Sequence, residues 1–137
     1  MKKKLFFISL AVAAIIFYKK SFILRQAVSL PLEINISQKI AGEYFSPNNM
    51  LFITVKNSKG VPVGLKKIID PVYPVKTKIT SKDIFFQDIL THRLEISAEM
   101  NSHGVVGERR KGDFFSSQNI KTFIFSPPKY IQLDSRY

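Results

Sequence analysis

Residues 5–18 are apolar without a break apart from Ser9, and everything past Arg25 alternates instead. The first pattern predicts a helix. Its 14 residues span about 21 Å at 1.5 Å per residue. That is short of a hydrocarbon core of about 30 Å. Snorkelling of Lys19 and Lys20, with Phe22, Ile23 and Leu24 continuing the apolar face, makes up the difference. Lys2, Lys3 and Lys4 ahead of the run complete the layout of an export signal. Small residues would mark a cleavage site, but Phe17, Tyr18 and Lys19 stand there, which favours an uncleaved anchor over 1–25.

The second pattern predicts strands. Leu32, Ile34 and Ile36 alternate with Glu33, Asn35 and Ser37, a period of two with one wet face. Residues 41–49 are turn-rich around Pro47-Asn48-Asn49. Residues 51–55 form a second strand, Asn57-Ser58-Lys59-Gly60 a hairpin turn, and 61–69 the antiparallel return. Val75, Thr77 and Ile79 alternate with Lys76, Lys78 and Thr80. Residues 84–90 read as one helical turn or an irregular loop. Residues 93–100 give another strand, 101–113 a glycine-rich loop, and 120–125 a last strand stopped by Pro127-Pro128.

Such spacing, with no helical period after the anchor, predicts an all-β domain over 30–126: an antiparallel β-sandwich of about six to seven strands. Residues 127–137 read as a C-terminal tail. In each of the pairs Phe85-Phe86 and Phe114-Phe115, alternation sends one ring into the core and leaves the other outside.

The charge alters the picture only slightly. A net charge of +11 suggests nucleic acid. Setting aside Lys2, Lys3, Lys4, Lys19, Lys20 and Arg25, which flank the apolar run, leaves 15 basic against 10 acidic residues, a net +5. The excess is partly an export and membrane-surface signal, so no nucleic-acid partner is expected. The lysines ahead of the run favour staying inside, which places the β domain on the extracytoplasmic side of the cytoplasmic membrane.

Candidate chemistry is sparse. The chain lacks cysteine, which removes disulfides, thiolate zinc sites and a Cys nucleophile. His92, His103 and Met100 are the residues a copper site would use, yet no zinc-type spacing accompanies them. Asp83 and Asp88 have local explanations as cap and turn residues. No nucleophile elbow, phosphate loop or dinucleotide fingerprint is present, so neither catalysis nor a cofactor is expected. What remains is a binding surface. Lys56, Lys59, Lys66 and Lys67 on the hairpin 51–69 would keep a sheet edge from self-pairing and attract an acidic partner, and Arg109 and Arg110 add a basic loop tip.

Several segments, in order, resemble a known family. Residues 51–56 (LFITVK), the Gly60 turn and 61–66 (VPVGLK) are similar to a strand, turn and "PLA" strand in the C-terminal periplasmic domain of the CycH-type cytochrome c biogenesis protein. Tyr73-Pro74 and the strand after it, 94–104 (LEISAEMNSHG), and Lys111-Gly112-Asp113 continue the similarity over roughly 30–117. Gly64 stands where the family has Ala. The family's second transmembrane segment and helical repeats have no counterpart here, so the apocytochrome binding that belongs to the repeats does not carry over. The resemblance implies a non-catalytic accessory of c-type cytochrome maturation, with a membrane-assembly component or an apocytochrome as partner. The alternative from composition alone is an exported metal- or ligand-binding domain.

Overall fold

The computed structural model describes residues 2–42 and 47–137. Helix α1 covers Lys2–Gln26 and two residues join it to the first strand. Nine strands follow: β1 Ser29–Ile36, β2 Met50–Asn57, β3 Pro62–Ile69, β4 Val75–Thr80, β5 Arg93–Asn101, β6 Phe114–Phe115, β7 Ile120–Phe123, β8 Lys129–Leu133 and β9 Ser135–Arg136. Two short 3-10 turns, Ser81–Asp83 and Gln87–Ile89, lie between β4 and β5.

The strands form two sheets. The smaller has the order β4-β1-β8 and the larger β3-β2-β5-β6-β9, with β7 also paired to β5. One core lies between them. Leu30, Ile34, Ile79 and Ile131 enter it from the small sheet, and Leu51, Ile53, Val55, Leu94, Ile96 and Met100 from the large one. Alternation dictates this: in β5 the even positions Leu94, Ile96, Ala98 and Met100 are buried and Glu95, Ser97 and Glu99 face out. A slip of one residue would put the charged set in the core, so the register is strongly fixed.

Several expectations are corrected. The fold is not wholly antiparallel, because β1 pairs antiparallel with β4 but parallel with β8. Among the described residues the strands number nine rather than six or seven, since Phe114–Phe115 and Ser135–Arg136 are two-residue strands too short to show a period. The tail over 127–137 is structural: Ile131 and Leu133 are buried beside Ile34 and Ile36. Pro127-Pro128 therefore precedes a strand as well as ending one.

Pro31 lies within the central strand of the small sheet, where a missing N–H is normally disfavoured. The ladder with β8 begins only at Leu32–Lys129, and the isolated bridge to Phe125 is at Ser29. Pro31 falls in the gap between them.

The turn expected at 41–49 includes 43–46, which lie outside the described residues. Asn48, in the described part, takes a left-handed φ of 60°. The side chains of α1 from Lys2 to Phe17 are all exposed, with apolar residues on every side of the helix. The expectations for side chains 18–26 lie outside what is described. Among the described residues, no helix is long and apolar enough to cross a membrane.

Candidate functional site: the outer face of the large sheet

Residues directly opposite on paired strands share a face. Phe52 thus sits beside Lys67 and Glu99 on the outer face, Thr54 beside Leu65 and Ser97, and Lys56 beside Glu95. Phe115 is on the same face, opposite Glu99. This surface mixes apolar and hydroxyl groups, with cations at its margins.

The loop 101–113 folds back over it, and its own hydrogen bonds set the path. Asn101 Oδ1 accepts Gly104 N at 2.8 Å, and Glu99 Oε1 accepts Gly107 N at 3.0 Å. At the base Asp113 Oδ2 accepts Arg110 N and His103 Nε2–H, both at 2.7 Å. Val105 N donates to His103 Nδ1 at 3.2 Å, which fixes the tautomer with the proton on Nε2. Gly112, at φ 97°, turns the chain so that its N–H meets Tyr137 O.

The folded-back loop holds the Arg109 guanidinium 3.8 Å above the Phe115 ring. Between Arg109 and the β3 edge runs a groove of about 560 Å³, lined by Thr54, Lys56, Leu65, Phe85, Phe115 and Arg109. Glu99 also borders it, but its Oε1 is engaged by Gly107 N and the Asn101 amide. The groove offers Leu65 and Phe115 as an apolar floor beside Thr54, with Lys56 and Arg109 at its sides and the Glu99 carboxylate at its border. A second concavity of about 620 Å³ lies by β5 and β7, with Arg93, Lys121, Phe123, Phe125 and Lys129 around it.

The six expected cations do not form one patch. Lys56 and Arg109 meet at the groove. Lys59 is in the exposed β2–β3 turn. Lys67 lies on the outer face 5.9 Å from the Phe52 ring. Lys66, opposite Ile53, points the other way: its Nζ donates to Lys78 O at 3.0 Å and sits 3.8 Å from Asp83. Arg110 pairs with Glu108 at 2.7 Å, which holds the Glu108 carboxyl below the usual range. A face carrying both Lys66 and Lys67 does not exist, because neighbours on a strand point to opposite sides.

The copper-type set is also dispersed. Met100 is buried and its sulfur accepts the Tyr73 hydroxyl at 2.9 Å, while His103 is committed to Asp113. Burial pushes the Tyr73 phenol well above its ordinary value.

Phe114 is buried and Phe115 half-buried, as alternation requires, but Phe85 and Phe86 are both exposed, packed edge to face at 4.7 Å. They follow no strand. Ile84 fills the core position and bridges Gly64. The groove's floor residues Thr54, Leu65 and Phe115 were missed by charge-based reasoning. Thr54 and Leu65 are outward positions of strands whose alternation is visible, whereas Phe115, in a two-residue strand, carries no such signal.

No family model and no curated protein matches the chain. Among solved structures it is similar to an alternative pilotin from the type II secretion system of Vibrio cholerae, at 16% identity, over 77% of this chain and 93% of that chain, with a TM-score of 0.48.

Proposed function

We propose that this protein is a non-catalytic accessory factor, anchored by α1 in the cytoplasmic membrane, whose extracytoplasmic β-sandwich captures an acidic, extended segment of a partner protein. The observation that carries the reading is the convergence of Lys56 and Arg109 on an apolar floor. A partner's carboxylates are drawn by the cations while its apolar side chains cover Leu65 and Phe115. Strand β3 is at the edge of its sheet, and beyond the Ile84 bridge at Gly64 its rim is open to strand addition among the described residues.

The anchor is supported by α1 itself. Its apolar side chains face outward all round, which water disfavours and lipid accepts. The lysines before it support an extracytoplasmic β domain. The ordered resemblance over 30–117 supports c-type cytochrome maturation as the process. The test is co-purification from detergent-solubilised membranes. Lys56→Glu with Arg109→Glu should lose the partners that wild type retains, and equal recovery would remove this groove from consideration.

A further inference from the structure

Hydrogen bonds and register place several segments at one end of the β domain. Ser29, where α1 hands over to β1, donates its N–H to Ile124 O, and Ile124 N donates to His92 O. Thr80, opposite Ser29 in the register, leads into the segment 81–89. The β2–β3 turn joins the same end: Asn57 Nδ2 donates to Ile89 O, and Ser58 N to Thr91 Oγ1. The loop 101–113 belongs to the opposite end, since Asn101 closes β5.

Exposed phenylalanine follows this polarity. Among the described residues of the β domain the exposed ones are Phe85, Phe86, Phe123 and Phe125, and all four are at the α1 end, with Val61 and Ile89. Phe125 is 71% exposed and Phe86 56%. They fall in two pairs, Phe85-Phe86 beside β3 and Phe123 with Phe125 beside β7, each an exposed apolar spot at this end. Lys59, Lys82, Arg93 and Lys129 stand around it. The acids nearby are Asp88, Asp83, which has Lys66 beside it, and Glu95, which faces Lys56 and Lys121 across the strands. The end is thus apolar with a cationic rim.

Tether length decides what covers it. A helix crossing about 30 Å of hydrocarbon from Leu5 reaches the far interface near Leu24. From Gln26 only Ala27 and Val28 lead to Ser29, a reach of about 11 Å at most, and Val28 is already in the core. The domain's near end then has the headgroup zone within reach and no freedom to leave it.

We propose that the α1 end of the β domain seats on the anionic bilayer surface, with Phe85, Phe86, Phe123 and Phe125 in the interfacial zone and the lysines on lipid phosphates. This rests on the reading of α1 as an anchor. It orients the molecule, turning Asn101 and the far end of the β domain away from the membrane, with the groove beside Phe85 opening near the lipid surface. Aromatic rings at the headgroup level and cations beside anionic lipid are each favourable there.

The chain has no tryptophan, so a single one reports on its own site. Full-length Phe86→Trp is reconstituted into phosphatidylcholine–phosphatidylglycerol vesicles, with and without lipid brominated near the headgroup. Phe17→Trp reports on the anchor and Val72→Trp on the far end. Seating predicts bromolipid quenching and several-fold weaker iodide quenching of Phe86→Trp than of Val72→Trp, with the protection reduced by salt. If Phe17→Trp is quenched by bromolipid and Phe86→Trp is not, the seating is wrong and the anchor stands. If neither is quenched, both are wrong. Protection of Phe86→Trp from iodide without bromolipid quenching means protein covers the patch, which also overturns the proposal. Should far-ultraviolet spectra show Phe86→Trp unfolded, Phe125→Trp takes its place with the same readings.

Discussion

Arg109 stacks on Phe115 at 3.8 Å, joining the loop 101–113 to the outer face of the large sheet. Such a stack contributes about 0.5–1 kcal/mol at an exposed site. Arg109→Ala should therefore lower the unfolding free energy by about that amount, measured in urea, while Lys56→Gln, which sets no like charge against Glu95, moves it by no more than about 0.5 kcal/mol. Both should reduce partner recovery. A variant that loses stability but not partner would assign Arg109 to the fold alone.

Gly64 offers a sharper stability test. A Cβ there would lie 2.8 Å from Asp83 O and 2.7 Å from Ile84 Cδ1. The Ile84 methyl can yield, but the backbone oxygen cannot without moving the 3-10 turn. Gly64→Ala should cost about 1–3 kcal/mol by overpacking. This also gives a physical reason for glycine where the resembled family has alanine. An unchanged denaturation midpoint would show that the 81–86 segment sits farther off.

Asp113 holds the loop by accepting from Arg110 N and from His103. Asp113→Ala leaves those donors unmet in a largely buried place, at a cost of about 1–3 kcal/mol. Limited proteolysis should cut within 104–112 faster in the variant than in wild type. Equal rates would mean the glycines alone set the loop's path.

Tyr73 predicts a pH dependence. Burial raises its phenol pKa, so the folded protein favours the neutral form more than the unfolded chain does. Its contribution is complete below the unfolded value near 10 and is lost as pH rises beyond it. Stability should decline through that alkaline range, and less so in Tyr73→Phe, whose neutral-pH stability drops by roughly 1 kcal/mol with the bond to Met100. Parallel profiles would contradict this account.

Local pattern carried much of the fold. Strands β1 to β5 and β7 announced themselves because a half-buried strand must alternate and its turns need Gly, Asn or Pro. Strand β8 also alternates, with Ile131 and Leu133 inward, yet Pro127-Pro128 ahead of it read as an end. Its parallel pairing with β1 comes from tertiary packing, which no local period encodes. For the groove, Lys56 and Arg109 were visible as cations, but their meeting was not. It depends on carboxylates and amides of Glu99, Asn101 and Asp113 steering a loop, contacts with no signature in spacing. Phe85-Phe86 was misjudged for a similar reason: alternation separates adjacent rings only inside a strand, and this pair lies outside one.

The placement of β8 beside β1 bears on how the chain matures. Strand β1 precedes the other strands, and its parallel partner β8 is synthesised only after six of them. Until residue 133 is available, β1 carries a bare flank, the kind of template on which neighbouring chains stick. Closure spans almost the whole β domain in sequence, so assembly is slow relative to local turns. A chain stalled before residue 129 has seven of its strands, β1 to β7, in hand yet lacks the one that shuts the small sheet. That makes β8, rather than the hairpin, the segment on which closure of the small sheet waits.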